Sequence, residues 1–263
     1  VLFRSIGVDG GGVYAIDKDT KKAHLLMNTK DDTDTYLRGN GVYAVTRDDQ
    51  GNIWIGSYTG GVSVAILLKH PISILAHEKG NTHSLISNNV NDIEENPDGN
   101  QWFATDDGIS IRNTLSGTWK HVLKEIVTIS LCTSGNGNVW VGTYGDGVYL
   151  LDNNGRVLRH LTKQQGQLTT NYIFSVRQDM EGDLWIGGLD GCLIMFEKEK
   201  GSRQSFDVNW VQSIEPIDRN RVAVATVNGF FLVDKHTGNI QHYANSQEFH
   251  NQNVSAYIIS MLF

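Results

Sequence analysis

Two kinds of side chain in this sequence could bind a polar ligand together: aromatic rings, and short acidic or amide groups in glycine-containing turns. The candidates are Tyr58, Tyr144, Tyr172, Trp210, Asp106, Asp146, Asp190 and Asn228. Aromatic faces stack on the C–H faces of a sugar, while carboxylates and amides accept hydrogen bonds from its hydroxyl groups. This combination is typical of a saccharide site.

Signals for catalysis are weak. The sequence contains no HExxH, G-x-S-x-G or P-loop motif, and its nine histidines are dispersed without zinc spacing. The remaining catalytic candidates are His77 and Glu78, adjacent in a loop, and any pair of aspartates around the central funnel. The turns with Asp48, Asp98 and Asp179 lack the alternating oxygen ligands and distant glutamate of a calcium loop. We therefore expect no catalytic residue, no metal site and no cofactor.

The elements that must position these side chains come from a repeat. Trp54, Trp102, Trp140 and Trp185 each stand in a near-copy of one phrase: GNIWIGSYTGG, GNQWFATDDG, GNVWVGTYGDG and GDLWIGGLDG. A module of roughly 40 residues buries its apolar faces only by stacking on its neighbours. A large aromatic residue that recurs at one strand position is expected in the core between modules.

Each module reads as four short antiparallel strands. An apolar strand such as Ile173 to Val176 precedes a polar Gly turn, the Trp strand, a second Gly turn and a third strand such as Val148 to Asp152. A fourth strand follows another turn. Four strands in roughly 40 residues predict an all-β fold, a β-propeller of about six four-stranded blades.

Two further modules lack the tryptophan, with Ser5 and Ala223 at its position. The expected single propeller domain covers the whole chain, with blades near 1–28, 41–76, 89–123, 126–161, 171–206 and 209–243. The chain is expected to open inside the second strand of the first blade. Residues 253–263 read as an inner strand that either closes a six-bladed ring or starts a seventh blade.

The candidate residues are expected on one face. In a blade, the turn after the Trp strand shares a face with the connections between blades, which are long and irregular here: 28–40, 77–89, 162–171 and 244–253. Tyr172 and Trp210 stand directly before inner strands, as do Gly41, Asn89 and Glu125. The alternatives are that the two rings pack between blades and that the aspartates cap their own turns.

Composition limits the partners. The net charge is −7, from 22 Lys and Arg against 29 Asp and Glu, and no basic run offers a face for nucleic acid. No stretch of eighteen apolar residues is present, so no membrane span is expected. Cys132 and Cys192 fall on non-equivalent strands, so we do not expect a disulfide between them.

The segment LTTNYIFSVRQDMEGDLWIGGLDGCLIMFE resembles the two-component regulator propeller repeat, as do LISNNVNDIEENPDGNQWFATDDGISIRN and IVTISLCTSGNGNVWVGTYGDGVYLLD. The resemblance implies the periplasmic sensor region of hybrid two-component systems of gut Bacteroidetes. It also implies a glycan breakdown product as ligand, a second propeller, and a phosphorelay through a cytoplasmic histidine kinase outside this chain.

The expected function is therefore ligand sensing, without enzymatic activity, and a homodimer is compatible with it. One alternative is a scaffold propeller for protein–protein interaction. The other is a propeller lyase or glycosidase, because streptogramin lyases share a similar repeat and a fold alone does not determine function.

Overall fold

A computed structural model describes residues 3–17, 22–29, 37–65, 73–198, 200–227 and 229–243. Over these ranges the chain forms six antiparallel sheets and no helix, which confirms the predicted all-β propeller fold. In the same ranges, no helix meets the length and hydropathy of a membrane span. The predicted strand at 253–263 and the candidate Asn228 lie outside the described residues.

The chain divides after Thr128 into two compact units, each with three blades. In unit 1, blade 1 has three described strands and blades 2 and 3 have four each. Their bounds are β1 Phe3–Val8, β2 Gly12–Asp17, β3 Ala23–Met27, β4 Val42–Arg47, β5 Ile53–Ser57, β6 Gly61–Ala65, β7 Ser73–Leu75, β8 Val90–Glu95, β9 Asn100–Thr105, β10 Gly108–Asn113 and β11 Trp119–Val122.

Unit 2 holds blades 4, 5 and 6, each with four strands in chain order. Their bounds are β12 Thr128–Thr133, β13 Val139–Thr143, β14 Val148–Leu151, β15 Val157–Leu161, β16 Ile173–Gln178, β17 Leu184–Gly188, β18 Cys192–Phe196, β19 Arg203–Asp207, β20 Val211–Pro216, β21 Arg221–Thr226, β22 Gly229–Asp234 and β23 Ile240–Tyr243. First strands of successive blades contact one another, β4 with β8 and β16 with β20, so they are the inner strands.

The two modules without tryptophan fit the predicted alignment. Ser5 pairs with Ala15 as Trp140 pairs with Leu150, so β1 takes the pairing position that the Trp strand takes in blade 4. Ala223 is buried in β21. One boundary was wrong: β12 begins at Thr128 and not at residue 126, so the residue before this strand is not Glu125.

The recurring tryptophans form the core, as predicted. Trp54, Trp102, Trp140 and Trp185 are between 0 and 7% exposed. The Trp185 ring stacks on Phe206 with 5.5 Å between centroids, inside a cluster that also receives strands of the following blade. The repeat therefore builds the packing between sheets and does not present these rings to a ligand.

The polar turn before each Trp strand fixes the tryptophan. In blade 2, the Asn52 N–H donates to Oδ1 of Asp48, and Gly51 adopts a φ of 90° that favours glycine. The Trp54 Nε1–H donates to Oδ2 of the same Asp48 at 3.0 Å. Asp179 accepts a bond from Trp185 Nε1 in the same way, at 3.1 Å. These two aspartates are turn caps that also satisfy a buried indole.

Candidate functional site

Blades 2, 3 and 5 bring the turn after the second strand next to the residue before the first strand. The turn N–H donates to the pre-strand carbonyl in three blades: Tyr58 to Gly41 (2.7 Å), Asp106 to Asn89 (3.2 Å) and Leu189 to Tyr172 (3.2 Å). We call these turn and pre-strand residues the rim of a blade. All the candidate residues that the structure describes stand at rim positions.

In unit 2, two candidate rings meet between blades 4 and 5. The rings of Tyr144 and Tyr172 lie edge to face with 4.9 Å between centroids, and a backbone bridge joins the same two residues. Phe174 adds a third ring, 6.1 Å from Tyr144. Tyr144 and Tyr172 are 48% and 45% exposed, so they present ring surface to solvent although they contact each other.

Trp210 stands at the rim of blade 6, directly before β20. Its side chain is 51% exposed, and its backbone N–H donates to Oδ1 of Asn209 at 2.9 Å. About half of Trp210 is buried, so packing between blades remains an alternative for this ring. For Tyr172 it holds in part, because this ring contacts the preceding blade while half its surface remains exposed.

The two acidic candidates of unit 2 differ in what they contact. Asp190 caps its own turn, since its Oδ1 accepts the Cys192 N–H at 3.2 Å. Asp146 is fixed through its backbone: its N–H donates to Thr143 Oγ1 at 3.0 Å, and its carbonyl lies 2.6 Å from Nε2 of His160. Among the described residues, the exposed Asp146 carboxylate receives no hydrogen bond.

In unit 1, the Asp106 carboxylate is engaged by amides. Asn89 Nδ2 donates to its Oδ2 at 2.8 Å, and Asn91 Nδ2 donates to its Oδ1 at 2.9 Å. Asn91 Nδ2 also donates to the Thr128 carbonyl at 2.8 Å. Asp106 therefore ties the turn after β9 to residues before and within β8, and its acceptor capacity for a ligand is reduced.

Tyr58 is the exposed ring of unit 1, at 44%, and lies 5.5 Å from the ring of Tyr43. A Cβ added at Gly41 would stand 3.1 Å from Asp9 Oδ1 and 3.4 Å from the Tyr58 Cβ. Asp9 therefore belongs to this rim, although the sequence argument did not include it. Its position could have been found from the alignment of SIGVDGGG with WVGTYGDG.

A β-bulge in the inner strands was not anticipated. The register with the second strand shifts by one residue at the second position of β4, β8, β16 and β20. The bulged residues are Tyr43, Asn91, Phe174 and Gln212. Bulges re-aim side chains and occur next to binding sites. Three of these residues contact rim side chains, and simple alternation along the sequence does not reveal a bulge.

A buried ionic cluster joins blades 5 and 6 at the turns before the second strands. The Lys235 ammonium, 3% exposed as a residue, lies 2.8 Å from Asp179 Oδ2, 2.9 Å from Glu181 Oε2 and 2.7 Å from Asp183 Oδ2. Burial alone would raise the pKa of Asp179, but hydrogen bonds from Lys235 and Trp185 hold it below its ordinary value. Burial opposes the charged form of Lys235, yet the three carboxylates raise its pKa. Nothing in the local sequence indicated this long-range contact.

The remaining chemical candidates have structural roles. His77 Nδ1 lies 2.8 Å from the Leu85 carbonyl, and Glu78 Oε2 accepts from Asn81 Nδ2 at 2.7 Å, so both organise the loop before β8. Ser110 Oγ lies 3.2 Å from His121 Nδ1, but Ser110 is fully buried and accepts the Ile86 N–H. This serine is not placed as an accessible nucleophile.

Cys132 on β12 and Cys192 on β18 are not joined by a disulfide. Burial raises the pKa of Cys192. Across the ranges that the structure describes, no group of three or more His, Cys, Asp and Glu side chains is arranged to hold a metal ion.

The chain is similar in fold to the extracellular domain of a hybrid two-component system from B. thetaiotaomicron, with a TM-score of 0.55 and 20% identity over 91% of this chain and 39% of that one. A second such extracellular domain from the same bacterium gives a TM-score of 0.51 and 19% identity over 92% and 39%. Virginiamycin B lyase from Staphylococcus aureus gives 0.65 and 12% over 88% and 76%. At these identities the likeness establishes the fold.

No curated protein is matched by this chain. Residues 36–59 and 167–190 match the family model described as two component regulator propeller. Both matched segments run from a connection between blades, through the first strand and the Trp strand, into the rim turn. The chain is therefore a β-propeller, and two of its segments match the two-component regulator propeller repeat.

Proposed function

We propose that this chain is the ligand-sensing propeller of an extracytoplasmic two-component sensor and that it binds a saccharide at the rim of unit 2. The repeat family supports a sensor, and two proteins of similar fold are extracellular domains of hybrid two-component systems. In this proposal the chain lies in the periplasm, is not an enzyme, and passes its signal to a histidine kinase outside the segment.

The observation that carries the proposal is the set of half-exposed rings at the unit 2 rim. Tyr144, Tyr172 and Trp210 are between 45 and 51% exposed, whereas the recurring tryptophans are at most 7% exposed. Leaving large rings partly in water forfeits part of their burial free energy, so a ligand that stacks on them would recover it. Asp146 and Asp190 at the same rim positions supply acceptors for hydroxyl groups.

The kinase and a second propeller are proposed partners. The chain spans 39% of the first similar extracellular domain, so that domain contains further structure beyond the matched part. We propose that a saccharide at the rim changes how this propeller meets a second one. Differential affinity of the ligand for two such arrangements would transmit the signal.

The test is calorimetric titration of this chain with gluco-, manno-, xylo-, galacto- and arabino-oligosaccharides of two to eight units. Stacking and a few hydrogen bonds, offset by ordering costs, predict micromolar or weaker affinity for at least one series. Heat signals at the level of buffer controls for every series, together with an unchanged thermal midpoint, would contradict the proposal. Capture of a protein partner through the same rim residues would then favour the scaffold alternative.

A further inference from the structure

We infer that the ligand carries no carboxylate or sulfate group: the rim selects a neutral or amino-substituted saccharide against an anionic one. This inference rests on the proposed saccharide function and adds a substrate class to it. It follows from which charged side chains occupy the rim positions.

In unit 2, the charged rim residues are Asp146 and Asp190, both exposed. The Asp146 carboxylate receives no hydrogen bond among the described residues, and Asp190 uses one oxygen for the Cys192 N–H, which leaves its second oxygen available. Both groups are therefore acceptors only, and a ligand must bring donors to them.

In unit 1, considered by itself, the charged rim residues are also negative. Its charged rim residues are Asp9, Asp106 and Asp107, and Asp9 and Asp107 are exposed. At the described rim positions of all six blades, no lysine, arginine or histidine occurs. Basic residues stand just outside these positions. Arg38, Lys124 and Lys163 lie in the connections between blades, and His160 lies on β15, where its Nε2 is 2.6 Å from the Asp146 carbonyl.

Carboxylates at the rim favour ligands that donate hydrogen bonds. Hydroxyl groups and ammonium groups donate to carboxylates, whereas a uronate or sulfate offers acceptors and a like charge. Two like charges about 4–8 Å apart near a protein surface repel strongly enough to weaken binding by about tenfold. Recognition of an anionic sugar would instead call for arginine or lysine at the rim.

Matched saccharides test this inference on the chain as it exists. Galacto-oligosaccharides are compared by calorimetry with oligogalacturonides of the same length, and cello-oligosaccharides with the amino-substituted chitosan oligosaccharides. The expected result is that the best-bound neutral or amino series binds at least about tenfold more tightly than its uronate counterpart at low ionic strength. Added salt should narrow the difference.

The variant Asp146→Asn removes one rim charge without changing the shape of the side chain. In this variant, the ratio of the affinity for the neutral saccharide to the affinity for the uronate should fall at least about threefold. Asp49 is an exposed aspartate in the turn before β5, and Asp49→Asn should leave this ratio unchanged. A uronate that binds the wild-type chain as tightly as its neutral counterpart would overturn the inference and leave the sensor proposal standing. Failure of every saccharide series would overturn both.

Discussion

The rim of blade 3 and the rims of blades 4 to 6 occupy equivalent backbone positions but carry different side chains. In blade 3, the Asp106 carboxylate is held by Asn89 and Asn91, so polar groups satisfy one another. In unit 2, Tyr144 takes the position of Asp106 and is 48% exposed. The residues directly before β16 and β20, Tyr172 and Trp210, are also half-exposed rings. An internally satisfied rim stabilises the blade, whereas exposed rings leave binding capacity for a ligand.

The difference shows that an aspartate at a rim position is not informative alone. Asp106 and Asp146 both stand in Gly-containing turns, yet only Asp146 lacks a side-chain hydrogen bond among the described residues. The partners decide the role: two asparagines surround Asp106, and they come from the positions before and within β8. Variants at the core, at the ionic cluster and at the rims should therefore separate stability from binding.

The largest expected effect concerns the core rings. Trp140→Ala removes a ring that is 7% exposed and should lower the free energy of unfolding by about 3–5 kcal/mol. Trp102→Ala should behave alike. Urea denaturation followed by circular dichroism measures both, and a midpoint that hardly moves in either variant would mean that these rings do not form the core.

The buried ionic cluster should respond almost as strongly. Lys235→Met leaves Asp179 and Asp183 buried without their cation and should cost about 3–5 kcal/mol at neutral pH. Lys200→Met is the matched control, because that lysine is exposed and its pair with Glu197 should contribute about 1 kcal/mol at most. Equal losses in the two variants would show that the cluster has no special role.

The pH dependence of the same variant has a defined sign. The lowered pKa of Asp179 contributes stability that is present above its unfolded value of 3.8 and is lost as the pH falls through the folded value. Without Lys235, burial favours protonation of this carboxyl, so the variant should become relatively more stable as the solution is acidified. Unfolding free energies between pH 3 and pH 7 check this, and parallel profiles for the two proteins would contradict it.

Two rim variants compare how much the aspartates of blade 3 and blade 4 contribute to stability. Asp106→Ala leaves the amides of Asn89 and Asn91 without their acceptor and should cost about 1–2 kcal/mol of unfolding free energy. Asp146→Ala should change that free energy by less than about 0.5 kcal/mol, because its carboxylate is exposed. Thermal unfolding distinguishes them, and a reversed order would show that the rim of unit 2 is the structural one.

One substitution is expected to stabilise the chain. Asn96 takes the turn position of Asp48 and Asp179, and its Nδ2 and the Trp102 Nε1 are buried donors without a partner among the described residues. Asn96→Asp supplies the missing acceptor and should stabilise the chain by about 1 kcal/mol. The gain should disappear in the background of Trp102→Phe, and a gain of the same size there would contradict this explanation.

The features that recur among the repeats could be predicted from the sequence. The tryptophan spacing gave the blades and the core, and the recurring Gly turns gave the positions of Tyr58, Tyr144 and Asp190 at blade rims. It did not predict contacts that depend on register or on distant blades. Lys235 reaches Asp179 across 56 positions, and the bulge at Phe174 leaves no trace in the apolar pattern.

The most direct test of the central claim is a saccharide titration of Trp210→Ala beside Phe231→Ala. Trp210 is an exposed rim ring, whereas Phe231 is a partly buried ring that stacks on His242 and stands within β22. The saccharide that binds the wild-type chain should bind Trp210→Ala about tenfold more weakly, or worse, with a nearly unchanged thermal midpoint. Phe231→Ala should show the opposite pattern. Intact binding with a large loss of stability in Trp210→Ala would contradict a ligand site at this rim.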